Sequence, residues 1–188
     1  MNILPLGIEG AWIASSKVHA DNRGNFREWF KANEILESTG IDFSVAQANI
    51  SQSNRGVVRG IHYSVSPKGQ AKWITCVTGA IKDVIVDIRP ASRTFGEYIS
   101  VDLIGGAGES VLIGAGLGHA FVSLVEGSTV AYLISSRFSP DEEHEINPLD
   151  PDIAIDWGIP SDELLLSLKD AVAPSLQERR IQGNLPSQ

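Results

Sequence analysis

Between Trp73 and Ser135 the chain repeats one pattern that leaves few folds open. Apolar and polar residues alternate over Trp73–Thr78, Ala80–Ile88, Tyr98–Leu103, Ser110–Ile113, Ala120–Leu124 and Thr129–Ser135, the period of strands with one face buried. Turn formers stand between these runs at short intervals: Thr78-Gly79, Pro90-Ala91-Ser92, Gly105-Gly106-Ala107-Gly108, Gly114-Ala115-Gly116 and Glu126-Gly127. Many short strands with such spacing belong to a sandwich or barrel. The expected fold is mainly β: a jelly-roll barrel with a cavity between its sheets and a few short helices.

Outside this block the signals change. Lys31–Thr39, KANEILEST, reads as a helix, and Gly40 stands where a residue with left-handed freedom ends one. A second short helix is expected within Ser161–Leu168. After Pro148 the text turns to prolines and acids, NPLDPDIAIDWGIPSDELLLSLKDAVAP, yet stays apolar enough to pack, so an ordered tail wrapped on the barrel is expected. From about Gln177 the periodicity ends, which predicts loosely held residues. A length of 188 residues without solenoid repeat or low-complexity tract suits one domain over 1–188.

Charge and cysteine content narrow the function classes. The formal net charge is −8, so nothing draws the chain as a whole to nucleic acid or an anionic membrane, and any phosphate must be held by a local cluster. Cys76 is the only cysteine, which excludes an intramolecular disulfide and a multi-cysteine zinc site. The opening MNILPLGIEGAW lacks the basic start and apolar run of a signal peptide, and no window offers about 18 consecutive apolar residues. A cytoplasmic location is expected. The four histidines, His19, His62, His119 and His144, form no H-x-H or H-x-x-x-H pair, so no metal is expected.

The most reactive stretch is RGIHYSVSPKGQAK, Arg59–Lys72, which sets cations around a histidine beside a buried strand. His62 is read between a Gly-rich turn and a strand. An imidazole titrates near neutrality and can take a proton from carbon when a neighbouring donor stabilises the resulting enolate. His62 and Lys72 could supply both parts; equally, they could be a satisfied turn histidine and a strand-edge lysine.

Eight short motifs recur together. They are DNRGNFRE (Asp21–Glu28), QANIS (Gln47–Ser51), GVVRGIHY (Gly56–Tyr63), QAK (Gln70–Lys72), DVIVDIR (Asp83–Arg89), TFG (Thr94–Gly96), GHAF (Gly118–Phe121) and LKD (Leu168–Asp170). In this order and spacing, from about Val18 to Asp170, the chain resembles the dTDP-4-dehydrorhamnose 3,5-epimerase family. The resemblance implies a cupin-type jelly roll, a homodimer, no metal or organic cofactor, and a dTDP-4-keto-6-deoxy-hexose substrate. It implies that His62 is the base, oriented by Asp170, that Lys72 holds the C4 oxygen, and that Tyr132 is the acid on the opposite sugar face. By the same resemblance Arg23 and Arg59 hold the diphosphate, and Glu28, Gln47 and Asn49 contact the nucleotide. Glu143 and Lys169 are further substrate contacts, and His119 lies near the sugar.

Three positions depart from the family pattern. Phe138 stands where a tyrosine stacks on thymine, and a phenyl ring still stacks. Ala48 replaces a common acidic residue, and Gly114-Ala115-Gly116 lacks a frequent proline. The resemblance leaves open a relative that inverts only C3 or C5, a cupin 3,4-ketoisomerase, and a nucleotide-sugar binding module without catalysis.

Overall fold

The alternating runs become strands that close on one another in two sheets. The computed structural model describes residues 1–67 and 69–186. In chain order the strands are β1 (Asn2–Pro5), β2 (Ala11–Ser15), β3 (His19–Asp21), β4 (Gly24–Phe26), β5 (Gln47–Ser53), β6 (Val58–Ser64), β7 (Lys72–Thr78), β8 (Ala80–Asp87), β9 (Tyr98–Ile104), β10 (Glu109–Ile113), β11 (Leu117–Ser123), β12 (Ser128–Ile134) and β13 (Glu143–Glu145). The helices are α1 (Ala32–Thr39), α2 (Leu168–Ala171) and α3 (Leu176–Ile181). One sheet runs β1-β2-β10-β7-β12-β5 and faces a second, β13-β6-β11-β8-β9, while β3 and β4 form a separate hairpin. The strand pairings within both sheets are antiparallel, giving the expected jelly-roll barrel.

Apolar residues are buried in three layers, not one. Ile74, Cys76, Val111 and Val130 of the six-stranded sheet meet Ile81, Ile85, Leu103 and Phe121 of the five-stranded sheet inside the barrel. Trp73, Leu112 and Leu133 point outward and are covered by Ile35 of α1 and by Phe43. On the far side Tyr63, Val84 and Val122 are covered by Ile146, Ile153, Trp157 and Leu176 from the C-terminal segment. A strand covered on both faces loses its alternation, which is why Lys72–Cys76 is buried throughout. At about 25 cal/mol per Å² of apolar surface, these coverings make the terminal segments part of the stabilising core.

The first helix forms as expected: Gly40 adopts φ 75° and its amide donates to the Leu36 carbonyl, the left-handed closure that glycine reaches without steric cost. Elsewhere the structure corrects the sequence reading. In place of a helix within Ser161–Leu168 there is a single 3₁₀ turn at Ser161–Glu163, followed by α2, whose residues start at Leu168. His62 lies inside β6, not between a turn and a strand. Gly60, two residues earlier, obscures that strand: its φ is 120°, and a Cβ there would stand 2.5 Å from the His119 carbonyl oxygen, so only glycine fits.

Of the residues expected to be loose, those described, 177–186, are held, and residues 187 and 188 lie outside the described residues. Ser175 and Glu178 cap α3 reciprocally, Arg179 is buried, and the Tyr63 hydroxyl donates to the Asn184 carbonyl at 2.7 Å. A helix of six residues is too short to display a 3.6-residue period, so its cap is the only local sign of it. Among the described residues no helix is long and apolar enough to cross a membrane.

The motif DVIVDIR owes its second acid to stability. Asp87, fully buried, accepts from Arg89 Nε and Nη2 at 2.8 and 2.7 Å, and from the Ser92 and Thr94 hydroxyls at 2.6 Å each. Burial opposes its ionisation, but these donors outweigh it and hold the carboxyl at about 2 against an ordinary 3.8. The depressed value stabilises the fold above the unfolded pKa by about 2 kcal/mol, a contribution lost as pH falls through the folded value. In urea titrations the stability gap between the natural sequence and Asp87→Asn should therefore narrow by about 2 kcal/mol from pH 5 to pH 2. A constant gap would remove Asp87 from the acid response.

Candidate active site

Sheet register decides which side chains look into the barrel mouth. Across β5, β12 and β7 the pairs Gln47↔Ile134 and Ile134↔Lys72 form one row, and Asn49↔Tyr132 and Tyr132↔Ile74 the next. Opposite residues in antiparallel strands share a face, so Gln47, Asn49, Lys72 and Tyr132 project together from the six-stranded sheet. From the other sheet, β6 brings His62, paired with Glu145 on β13 and His119 on β11. Helix α2 closes the site from the side. Its cap Ser167 accepts from the Asp170 amide at 3.0 Å, a local device that turns the buried Asp170 carboxylate toward β6.

These elements enclose a cavity of about 520 Å³, within the range of small-ligand sites. Its lining includes His62, Lys72, Tyr132, Asp170, Gln47, Asn49, Arg59, Phe138, Glu143 and Lys169, ten of the residues marked by the sequence. Three marked residues stand elsewhere. Arg23 is on the exposed β3–β4 hairpin, paired with Asp21. Glu28 pairs with Lys31 at 2.8 Å. His119 is turned to Asp83, its Nε2 2.8 Å from Asp83 Oδ2, and is not part of the lining.

The centre of the cavity is an imidazole on a carboxylate. His62 Nε2 is 2.8 Å from Asp170 Oδ1. Burial works against the Asp170 charge, but the hydrogen bond and charge of His62, the Ser167 hydroxyl and the Gly60 amide prevail and hold its carboxyl below the ordinary value. Asp170 is therefore ionised at neutral pH, which fixes the ring and favours a protonated imidazole once it has taken a proton.

Lys72 is buried, and its Nζ donates to the His62 carbonyl at 3.2 Å. Burial lowers its pKa, opposed by the charges of Glu143 and Asp83. Tyr132 is raised above the ordinary phenol value, chiefly by burial, with Arg59 opposing and Glu143 adding to the rise. Its hydroxyl therefore keeps its proton at neutral pH. Base and phenol come from opposite sheets, with a buried amine lining the same cavity. That set can remove a proton from one face of a flat carbon acid, hold the oxygen that gains charge, and return a proton to the other face.

The outer end is built to hold a larger polar ligand. Arg59 is steadied by Nε donating to Ser53 Oγ at 3.0 Å and Nη2 donating to the Gln52 carbonyl at 3.2 Å. Phe138 is more than half exposed at the rim. Gln47 Nε2 donates to Asn49 Oδ1 at 2.8 Å, and the Phe138 amide donates to Gln47 Oε1.

Sequence reasoning passed over Gln70, Ser167 and His144, which also line the cavity. Gln70 Nε2 donates to Glu143 Oε1 at 2.9 Å and to Ser136 Oγ at 3.3 Å, setting the Glu143 carboxylate in place. Its signal was in view, since Gln70 opens QAK; Ser167 was signalled by its position three residues before Asp170, the spacing of a cap.

Comparison with known proteins finds similarity to one enzyme family over most of the chain. The family model described as dTDP-4-dehydrorhamnose 3,5-epimerase matches residues 5–178. A dTDP-4-dehydro-6-deoxyglucose 3-epimerase from Streptomyces sp is 47% identical over 184 residues, 97% of this chain and 93% of that protein. A dTDP-4-dehydrorhamnose 3,5-epimerase from Mycolicibacterium smegmatis is 45% identical over 188 residues, 100% of this chain and 92% of its own. Among solved structures, a 3'-monoepimerase from Streptomyces bikiniensis in complex with dTDP-quinovose superposes with a TM-score of 0.92 at 46% identity, covering 97% of this chain and 92% of that one.

Proposed function

Because this chain belongs to the dTDP-4-dehydrorhamnose 3,5-epimerase family, we propose that it epimerises dTDP-4-keto-6-deoxy-D-glucose at C3 and C5, yielding dTDP-4-keto-L-rhamnose. The observation that carries the reading is the placement of His62 and Tyr132 on opposite sheets of one cavity, with Asp170 on the imidazole. The C4 ketone acidifies the hydrogens on both neighbouring carbons. His62 removes one, and its new charge is met by Asp170. The electron pair moves onto the C4 oxygen, where Lys72 donates to the enolate. Tyr132 protonates the carbon from the other face, which inverts it, and solvent restores both groups.

The nucleotide end needs separate anchors. Arg59 presents a guanidinium suited to the diphosphate. Phe138 offers a ring face to the base, with Gln47 and Asn49 beside it. Glu143 and Lys169 contact the sugar end; Arg23, Glu28 and His119 remain proposed substrate contacts that lie outside the lining of this cavity within one chain.

A second reading has an observation in its favour: inversion at C3 alone, the activity named for the Streptomyces sp relative at 47% identity. One experiment separates the readings. The protein is incubated with dTDP-4-keto-6-deoxy-D-glucose in deuterated water and the product followed by proton NMR. Deuterium at C3 and C5 with the ketone still at C4 is expected. Deuterium at C3 alone selects the single-carbon reading, and a ketone moved to C3 overturns both.

A further inference from the structure

Helix α3, in the stretch where sequence shows no pattern, reaches β13 at the flank of the active site through one side chain. Arg179 is buried; its Nε donates to the Glu145 carbonyl at 2.8 Å and its Nη2 stands 3.5 Å from Glu145 Oε1. The other oxygen of that carboxylate, Oε2, takes Lys169 Nζ at 2.8 Å. Glu145 is the cross-strand partner of His62, a pairing that sets the two side chains on one face with Cβ atoms about 5 Å apart. Lys169 is the neighbour of Asp170 in α2. One carboxylate on β13, next to the strand that carries the base, thus joins the C-terminal helix to the helix that carries Asp170.

We infer that Arg179 is a positioning residue for the His62–Asp170 pair, which it serves by sharing Glu145 with Lys169. The arrangement has an electrostatic and a geometric part. Two cations share one anion on β13, beside the strand that carries His62, so removing Arg179 leaves the field there more negative by one charge and favours the protonated ring. Geometrically, the guanidinium fork grips the backbone of β13 as well as its side chain, which a lysine cannot do.

The other ionisable groups near His62 are not themselves substituted. They are Asp170 on α2, Lys72 on β7 and Tyr132 on β12, with Glu143 and His144 on β13 and Arg59 on β6 itself. Asp83 and His119, paired with each other, lie behind them. In the variants below the Glu145 trio loses its balance, and His144, lowered by Arg179 and raised by Glu145, shifts with it, so the His62 ring signals are read apart from those of His144.

The inference rests on the epimerase reading, and its test separates the two. Deuterium incorporation into dTDP-4-keto-6-deoxy-D-glucose is measured against pH for the natural sequence, Arg179→Met, Arg179→Lys and Glu145→Gln. With Arg179→Met the acid limb should move to higher pH, an added loss of about threefold on that limb. Glu145→Gln should move it the opposite way, because both cations then lack their anion. Arg179→Lys should restore the position of the limb but not the full kcat, since the charge returns without the fork. A variant that only loosened the fold would lower stability and leave the limb in place. Unmoved limbs in both Arg179→Met and Glu145→Gln overturn the inference. If Arg179→Met does not fold, the other two variants decide it. Should the natural sequence exchange no deuterium, the epimerase reading fails. The His62 ring signals, followed by NMR against pH, then still report whether the two variants shift in opposite directions.

Discussion

His62→Ala should lose solvent exchange at C3 and C5 by about a thousandfold or more, the scale expected when a positioned general base is removed. Lys72, another nitrogen in the cavity, cannot substitute. Its Nζ is committed to the His62 carbonyl, and burial holds it away from solvent. Its place in the mechanism is at an oxygen, not a carbon. The variant should also be folded. The lost ring leaves Asp170 with the Ser167 hydroxyl and the Gly60 amide as partners, so the destabilisation should be about 1–3 kcal/mol, the cost of an incompletely satisfied buried group.

Affinity for dTDP should hardly change, because Arg59, Phe138, Gln47 and Asn49 lie on other elements and keep their own hydrogen bonds. Calorimetry with dTDP and deuterium exchange on the ketosugar therefore give opposite answers for this one substitution. Exchange at a normal rate in His62→Ala would end the proposed mechanism. Natural protein that binds dTDP yet exchanges nothing would identify a binding module instead.

How much of this could be read from the chain depends on which way each strand turns its apolar residues. β8 and β12 were legible because most of their apolar residues are buried. β5 was not read as a strand, and its residues show why. Gln47, Asn49 and Ser51 point inward, while Ile50 stands outside with 76% of its surface exposed. The cavity wall is polar, so the usual sign of a buried face is reversed where the strand meets ligand. β6 was obscured by burial on both sides and by Gly60, and α3 by its length.

The site followed a different logic. Residues bound to chemistry, such as His62 and Asp170, sit in motifs and were visible at 108 residues' separation. Arg23 and Glu28 sit in an equally distinct motif, yet motif spacing carries no information about which way a hairpin projects. A residue that acts by holding others, such as Arg179, has no chemical signature of its own and emerges only from its contacts.

Tyr132→Phe should separate two events that His62→Ala abolishes together. Loss of one oxygen from a side chain that stays in its row between Asn49 and Ile74 leaves the cavity shape and the His62–Asp170 pair intact. His62 still takes a proton and, with no donor opposite, returns deuterium to the same face. Exchange should therefore persist within about tenfold of the natural rate, while inversion falls by about a hundredfold or more. The burial that raises the Tyr132 phenol sharpens the expectation, because a hydroxyl that stays protonated across neutral pH is a ready acid and a poor base. Proton NMR reads both quantities in one sample, deuterium content from the lost C3 and C5 signals and configuration from the couplings of those that remain. Inversion at the natural rate in Tyr132→Phe would mean that the second proton comes from elsewhere, and the pairing of base and acid across the two sheets would then have to be given up.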